Sequence, residues 1–247
     1  MALTYRQNEI LEYLKARKYA KIGELAKGLH VSEATIRREL VAMKKLGLLE
    51  RNHGGAIILE TTNEINISVR QASNTQDKRE TAAIALNKLP NFKTVFIDNS
   101  STALVLAMQM DFRHKTVVTT GLMLAMELSK RNDVTVLLPG GKLDTNSILG
   151  PYTIRGISDM HFNLLICSCA AIDETGTYEN SIEQSELKRQ AILNSTNKVL
   201  VVDKTKFGSD GIYRTAALSD YNAVFTNADD ETIATMKNLK GTNILNK

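Results

Sequence analysis

The chain has 247 residues, of which 43% are hydrophobic and 23% charged, with 14 Gly, 3 Pro and no Trp. This length suits one large domain, or a small domain joined to a medium one, with enough core to need no disulfide or metal. The two cysteines, Cys167 and Cys169, are too close in sequence to close a stabilising loop or to complete a zinc site. No apolar stretch approaches the ~20 residues of a membrane span, and the first residues lack the apolar block of a signal peptide. We therefore expect a cytoplasmic protein with reduced thiols, neither secreted nor membrane-bound.

The formal net charge of +4 is unevenly distributed along the chain. Residues 1–58 hold 11 Lys and Arg against 6 Asp and Glu, whereas residues 59–247 hold 20 against 21. A basic module of net charge +5 thus precedes a body of net charge −1. This asymmetry indicates a small polyanion-binding module attached to a nearly neutral body.

Three helical patterns occupy the beginning of the basic module. Their apolar residues recur at helical spacing over Thr4–Arg17, Ile22–Leu29 and Glu33–Leu46. Ser32 is a good N-cap for the third helix, and Gly47 ends it. Two short helices joined by a tight turn predict a helix-turn-helix, whose second helix can enter a DNA major groove.

The outward face of the third helix carries residue types that contact DNA. At 100° per residue this face holds Ala34, Arg38, Val41 and Lys45, flanked by Thr35 and Arg37. Arg makes bidentate contacts to guanine, Thr bonds base edges or phosphate, and Ala can touch a thymine methyl. The hydroxyl of Ser32 and the first-turn N–H groups suit phosphate. An ordinary amphipathic helix with a solvated charged face is the alternative, but the short turn and the basic surroundings favour DNA binding.

The segment after the third helix predicts a wing. Leu48–Ile58 consists of two apolar strands around a polar turn that contains glycine. Residues 1–58 therefore predict a winged helix-turn-helix domain, and the polar residues 59–76 a linker. His53 has no partner at metal-ligand spacing, so no metal site is expected. The predicted DNA contacts are Arg6, Ser32, Thr35, Arg37, Arg38, Lys45, Arg51 and His53.

Residues 77–247 predict an α/β domain with a mostly parallel sheet. Candidate strands are Thr94–Asp98, Thr116–Thr120, Val134–Leu138, Leu164–Ala170, Val199–Asp203 and Ala223–Thr226. Candidate helices between them are Asp77–Lys88, Thr102–Met110, Leu122–Arg131 and Glu183–Ser195. Short β-branched runs that alternate with helices of this length are typical of βα units. Such sheets bind ligands at the carboxyl ends of their strands.

Three loops at predicted strand ends are candidates for ligand binding. The loop Asp98–Thr102 combines hydroxyls with the N–H groups of a helix N-terminus, which suits an anion, and a carboxylate, which suits a sugar hydroxyl. Helix capping by Ser100 or Ser101 is an equally good interpretation. Thr119–Gly121 again joins a strand to a helix, and Gly140–Lys142 permits close backbone approach beside a cation. A simple tight turn is the alternative for this last loop, because a Gly-Gly-Lys triplet is weak evidence for phosphate binding.

Two stretches of the basic module carry a family pattern. Val31–Leu40 contains S-x-x-T-I-R-R, and Leu46–Ala56 ends in H-G-G-A. Together they closely resemble the DeoR family of bacterial transcriptional regulators. The resemblance implies a winged-helix repressor of sugar or nucleoside uptake and catabolism.

The second module resembles the sensor domain of the same family. The matching segments are Asp98 with Ser100–Thr102, Thr119–Thr120, Gly140–Gly141, Glu186–Arg189 and Asp203–Gly208. The resemblance implies a fold similar to ribose-5-phosphate isomerase and the coenzyme A transferases, and phosphorylated sugars or close relatives as effectors. With the loops above, it predicts the effector-binding residues Asp98, Ser100, Ser101, Thr102, Thr120, Gly140, Gly141, Lys142, Asp173, Lys188 and Lys206.

The sequence departs from the family pattern where a ligand would bind. Ser168–Ala171 stand where the family has a G-A-D-G turn, although Asp173 follows two residues later. Thr120 replaces an Asn, and Asn99–Ser101 contain no glycine. Side chains added to a backbone-lined pocket shrink it or change its polarity. An atypical effector or a loss of tight phosphate binding is therefore expected.

The sequence as a whole predicts a DNA-binding repressor without enzymatic activity, cofactor or metal. Its partners are double-stranded operator DNA, a small-molecule effector and further copies of itself, in a dimer or tetramer, because a module of net charge +5 offers few phosphate contacts. Two alternatives stay open. One is an isomerase-like enzyme with an accessory DNA-binding domain, in which Asp98, Asp173 and Lys188 act as acid/base groups. The other is a DNA-binding repressor whose second module is only an oligomerisation scaffold.

Overall fold

A computed structural model describes residues 4–45, 48–52, 54–58, 70–71, 73–235 and 243–246. The chain divides into two compact units, Met1–Ser73 and Asn74–Lys247. Two of the predicted DNA contacts fall partly or wholly outside the described residues, namely His53 and the side chain of Lys45. Most of the predicted linker, residues 59–69 and 72, also lies outside them. Within the described part of the chain, no helix is long and apolar enough to cross a bilayer.

The first unit consists of three helices and a small antiparallel sheet. Its elements are α1 (Tyr5–Arg17), β1 (Tyr19–Lys21), α2 (Ile22–Gly28), α3 (Glu33–Lys45), β2 (Leu49–Asn52) and β3 (Gly55–Ile58). The sheet order is β1-β3-β2, with β2 and β3 forming the predicted hairpin. The sequence pattern did not predict β1, because it has only three residues and is held by its pairing with β3.

Local chemistry explains the boundaries of these helices. Thr4 and Gln7 form a capping box at the start of α1, each side chain bonding the backbone N–H of the other. Between α2 and α3, His30 adopts a left-handed conformation with φ 54°, and the N–H of Val31 bonds the carbonyl of Ala26. This six-residue closure ends α2 in the manner of a Schellman motif and produces the tight turn of the helix-turn-helix.

The predicted apolar stripes form the core of the first unit. Ile10 and Leu14 from α1, Leu25 from α2, and Ile36 and Leu40 from α3 are completely buried in one cluster. Because α3 commits this stripe to the core, its opposite face is left exposed.

The second unit alternates strands and helices as predicted. Its helices are α4 (Thr75–Leu86), α5 (Ser101–Ala107), α6 (Leu122–Leu128), α7 (Pro151–Ser158), α8 (Ile182–Leu193) and α9 (Asp230–Ala234). The strands of its main sheet are β4 (Thr94–Ile97), β5 (Lys115–Thr119), β6 (Val134–Leu137), β9 (Phe162–Cys167), β12 (Ser195–Val201), β14 (Ala223–Phe225) and β15 (Ile244–Leu245). The order is β15-β14-β12-β9-β4-β5-β6, and every pairing is parallel.

Alternation along the central strands builds a core on each face of the sheet. Val95 and Ile97 of β4 pack into one cluster with residues of α4, α5 and α6. Phe96 packs into the other cluster, with residues of α7 and α8. Both faces of the sheet are therefore covered by helices, which explains why three consecutive residues of the central strand β4 are buried.

Smaller elements lie beside the main sheet. They are the hairpin of β7 (Lys142–Asp144) with β8 (Ser147–Leu149), and a sheet of β10 (Ala171–Asp173), β11 (Gly176–Glu179) and β13 (Tyr213–Ala216). The sequence predicted none of these short strands. The predicted strand Leu164–Ala170 was also too long, because β9 ends at Cys167 and the N–H of Ser168 turns to the carboxylate of Asp98.

The neighbouring glycines before β7 allow a test of this packing. A Cβ on Gly141, where φ is +156°, would collide with the Thr153 hydroxyl and lie 2.7 Å from the Leu149 carbonyl oxygen. Gly141→Ala is therefore expected to lower the free energy of unfolding by about 2 kcal/mol. A Cβ on Gly140 meets no atom within 4 Å, so Gly140→Ala is expected to leave that free energy unchanged or slightly raised. Denaturant titration of both variants measures the difference, and equal effects would contradict the packing of Gly141.

Candidate functional sites

The exposed face of α3 is basic. Arg37 and Arg38 are both exposed, whereas Ile36 and Leu40 are fully buried. The Arg37 guanidinium lies 3.0 Å from the carboxylate of Glu33, one turn earlier on the same face. Arg38 makes no ion pair with any described residue. Of the two, Arg38 therefore has the guanidinium that is free to meet a ligand.

The N-terminus of α3 is capped by side chains that the sequence analysis assigned to DNA. The Ser32 hydroxyl accepts the Thr35 N–H at 3.2 Å, and the two hydroxyl oxygens are 2.9 Å apart. Arg6 is exposed at the start of α1, and Arg51 is half-buried on β2. The predicted DNA contacts whose side chains are described thus lie on three elements of the first unit.

The carboxyl edge of the main sheet is organised around Asp98, which directly follows β4. Its side chain is only 2% exposed. Asp98 accepts the N–H of Ser100 at 3.0 Å on one carboxylate oxygen and the N–H of Ser168 at 3.0 Å on the other. Asp98 therefore joins the loop after β4 to the loop after β9.

Lys188 of α8 reaches the same place from the helix layer. Its ammonium lies 3.0 Å from the Asp98 carboxylate and bonds the carbonyl oxygen of Ser168 at 2.7 Å. It also donates to the carboxylate of Glu179 on β11. All four groups are buried. The sequence analysis missed Glu179, because it lies on a short strand that no periodicity signalled.

The carboxylates around Lys188 explain why its amino group stays protonated. Burial opposes the charge on Lys188, but the carboxylates of Glu179 and Asp98 outweigh this and raise its pKa above the ordinary value. The three donors of the ammonium have three acceptors, so the structure brings Lys188 into ion pairs rather than leaving it free for an effector. Counted as formal charges, the cluster holds two carboxylates and one ammonium.

Other predicted effector residues around Asp98 have partners within the chain. Ser100 caps α5, its hydroxyl accepting the N–H of Ala103 at 3.1 Å, as the alternative interpretation of this loop proposed. The Thr102 hydroxyl donates to the carboxylate of Asp203 at 3.4 Å, and Ser101 is buried in the first turn of α5. These hydroxyls hold the loop in place.

Two buried hydroxyls on the loops that flank Asp98 differ from Ser100 and Thr102, because they have no partner among the described residues. The side-chain oxygens of Thr120 and Ser168 are buried and have no hydrogen-bond partner among the described residues. Thr120 follows β5 and Ser168 follows β9, the two strands that flank β4. A buried hydroxyl without a partner costs free energy, and partners are the rule in folded proteins. Two such oxygens beside a carboxylate, at the carboxyl ends of strands in a parallel sheet, make this edge a candidate site for a polar ligand.

The remaining predicted effector residues, apart from Lys206, contact residues that do not belong to this cluster. Gly141 packs against Thr153, and the exposed Lys142 lies 3.9 Å from Asp144 within the β7–β8 hairpin. The exposed Asp173 accepts the N–H groups of Thr175 and Gly176 and so caps the turn between β10 and β11. Gly140 is exposed in the loop between β6 and β7.

Lys206 is a half-buried residue of the segment that follows β12. It lies in a single 3₁₀ turn after Asp203, close enough to Cys169 to affect the pKa of that thiol. Burial, the largest influence, raises the pKa of both Cys167 and Cys169, so both thiols are neutral. Among the described residues, no group of three or more His, Cys, Asp or Glu side chains could hold a metal ion.

Replacing Lys188 tests the buried cluster. Lys188→Met leaves the carboxylates of Asp98 and Glu179 buried without a cation, so we expect the free energy of unfolding at pH 7 to fall by about 3–5 kcal/mol. At acid pH the two carboxyl groups can take up protons in the folded variant, so the difference from the unsubstituted protein should shrink. Denaturant titration at pH 7 and pH 5 measures this, with Lys142→Met on the exposed hairpin as the control that changes little. A small, pH-independent loss for Lys188→Met would contradict the assignment.

Comparison with known proteins places both units in one family. A model of the DeoR-like helix-turn-helix domain matches residues 6–62, and a model of the DeoR C-terminal sensor domain matches residues 73–228. A glycerol-3-phosphate regulon repressor from Escherichia coli is 32% identical over 232 residues, covering 92% of each chain. The regulator GolR from Listeria innocua is 34% identical over 212 residues, covering 82% of each.

Among solved structures, ribose 5-phosphate isomerase A from Methanocaldococcus jannaschii aligns with a TM-score of 0.38 and 12% identity, over 54% of this chain and 55% of that one. This likeness is too weak to carry an argument about function. The family models, in contrast, cover most of the sequence, and the relatives named above are transcriptional regulators. The chain therefore belongs to the DeoR family of transcriptional regulators, with an N-terminal helix-turn-helix domain and a C-terminal sensor domain.

Proposed function

We propose that this regulator is a cytoplasmic repressor of a carbohydrate uptake or catabolism operon and that a phosphorylated sugar or a related metabolite controls it. The functions of the relatives support the class of operon, since one of them is a repressor of a glycerol-3-phosphate regulon. The observation that carries the proposed effector site is a pair of buried hydroxyls near Asp98, on Thr120 and Ser168, that have no hydrogen-bond partner among the described residues.

The DNA-binding half of the proposal rests on α3. Its exposed face presents Arg38, which has no ion pair with any described residue, and Ser32 and Thr35 lie at the helix N-terminus, where DNA phosphate is usually bound. A module of net charge +5 makes few phosphate contacts, so two or more copies must act together, in a dimer or tetramer. A two-fold dimer would read half-sites about 10 bp apart, or a multiple of that spacing.

The effector half rests on the carboxyl edge of the sheet. Thr120 and Ser168 offer hydroxyl groups, and Asp98 lies between them with its carboxylate, a set that matches the hydroxyls of a sugar. The two carboxylates of the buried cluster disfavour a phosphate directly against it. Half-buried Lys206, close enough to Cys169 to affect the pKa of that thiol, is a cation that suits the phosphate end of such a ligand.

The same geometry argues against catalysis by the residues that the isomerase alternative requires. Asp98 and Lys188 are ion-paired to each other, and Asp173 caps a turn at the surface. A ligand bound at this edge can instead control DNA binding, provided that it binds the DNA-competent and incompetent states with different affinity.

Replacing Arg38 tests the DNA-binding half. If Arg38 reads a guanine, Arg38→Ala should cost about 1–3 kcal/mol at one base position and relax the preference there. Selection of binding sites from a random double-stranded library, followed by fluorescence anisotropy on the selected site, measures both effects. Arg37→Ala should cost less, because Glu33 already shares that guanidinium.

Arg113→Ala is the matched control, since Arg113 is an exposed arginine of the sensor domain that pairs with Asp111. It should leave DNA binding unchanged. Equal weakening on every sequence by Arg38→Ala would show that Arg38 contacts phosphate instead of a base.

Replacing Thr120 tests the effector half. Thr120→Val removes a buried hydroxyl that has no partner among the described residues, so the ligand-free protein should be as stable as before or slightly more stable. The thermal shift produced by a bound sugar phosphate should be lost in this variant. The probes are ribose 5-phosphate, glycerol 3-phosphate, glucose 6-phosphate and inorganic phosphate at millimolar concentration. A ligand present at 100 times its Kd stabilises the folded state by ~2.7 kcal/mol.

Thr119→Val is the matched control at the preceding residue. The Thr119 hydroxyl accepts the N–H of Gly121 at 3.0 Å, so its loss should destabilise the ligand-free protein by about 1–3 kcal/mol. If none of the probes shifts the melting temperature of the unsubstituted protein, a scaffold role for the sensor domain is favoured over the proposed effector site.

A further inference from the structure

Val41 is an apolar side chain on the basic face of α3. It is 41% exposed, whereas the buried stripe of the same helix is formed by Ile36, Leu40 and Met43. Packing within the first unit therefore does not account for a β-branched residue at this position, and valine is not favoured for helix propensity either.

The position of Val41 on the helix places its exposed side chain on the same face as Ala34. At 100° per residue, Val41 projects within about 20° of Ala34, two turns earlier, and the two residues are separated by about 10 Å along the axis. Ala34 is also exposed. Arg37 and Arg38 project on either side of the line that joins them, so an apolar track runs between two guanidinium groups.

An isolated exposed valine needs no explanation, but its surroundings restrict what can cover this one. An apolar protein partner would have to bury Arg38, which has no ion pair with any described residue, and so would strand a charge. The major groove of DNA offers phosphates and guanine edges to the arginines. The 5-methyl group of thymine is the apolar group on its floor.

We propose that Ala34 and Val41 form a contact for thymine methyl groups, which makes Val41 a specificity-determining residue of this regulator. The operator half-site then contains thymine beside the base pair that Arg38 contacts. This inference rests on the proposed entry of α3 into the major groove and adds the identity of a neighbouring base.

The test removes the methyl group from the DNA instead of from the protein. The full-length protein selects its site from a random double-stranded library, and each thymine of the half-site is then replaced singly by deoxyuridine. Burial of one methyl group corresponds to about a fourfold change in affinity. We expect a loss of this size at one or two thymines and none at the others.

The matched variant is Val41→Thr, which keeps the β-branched shape and replaces one methyl by a hydroxyl. It should bind thymine and deoxyuridine with equal affinity at one of the sensitive positions, and its thermal unfolding should match that of the unsubstituted protein. This loss of coupling between the two methyl groups is specific to direct contact, because a general weakening of DNA binding would preserve the thymine preference.

The proposal is overturned if no deoxyuridine substitution weakens binding, or if Val41→Thr retains the full preference for thymine at every sensitive position. Failure of this inference is distinguishable from failure of DNA binding through α3. In the first case Arg38→Ala still relaxes a base preference on the selected site. In the second case Arg38→Ala has no effect on DNA binding, and both the DNA-binding proposal and this inference fall.

Discussion

The ammonium of Lys188 bonds three acceptors that come from different parts of the sensor domain. They are the Asp98 carboxylate after β4, the Ser168 carbonyl after β9 and the Glu179 carboxylate on β11. Asp98 in turn holds the N–H groups of Ser100 and Ser168. Two loops of the main sheet and a strand of the small sheet are thereby tied to α8. Because removing one member of a buried ion pair is costly, these contacts hold the loops after β4 and β9 in place.

Some polar groups at this edge are bonded within the chain, and two have no partner among the described residues. The hydroxyls of Ser100 and Thr102 have partners inside the chain, and they hold the loop that carries Asp98. The hydroxyls of Thr120 and Ser168 have none among the described residues, although both are buried. In the proposed function, an effector supplies the partners that these two hydroxyls lack among the described residues.

The sequence predicted most of the elements that carry function. The 3.6-residue period of Ile36, Leu40 and Met43 and the cap at Ser32 located the recognition helix, because a helix shows its buried face in its own sequence. The strands of the main sheet other than β15 were predicted from their short apolar runs. The strands β1, β7, β8, β10, β11, β13 and β15 were not predicted, because each has only two to four residues and is fixed by pairing with a distant segment, not by a pattern of its own.

The role of Lys188 could not be read from sequence. Its motif pointed to a ligand contact, but Asp98 lies 90 residues away and Glu179 lies on a strand that was not predicted. The same holds for Thr120 and Ser168, which appeared only as departures from the family pattern. Whether a hydroxyl has a partner depends on three-dimensional contacts, and no single-sequence pattern reports it.

The proposed function requires that ligand binding by the sensor domain changes the affinity of the protein for DNA. The most direct test measures the affinity of the full-length protein for its selected DNA with and without a saturating ligand from the thermal-shift panel, and the affinity for that ligand with and without the DNA. Linkage requires the two affinities to change by the same factor, and we predict a change of at least fivefold. An unchanged DNA affinity while the ligand is bound would contradict the account.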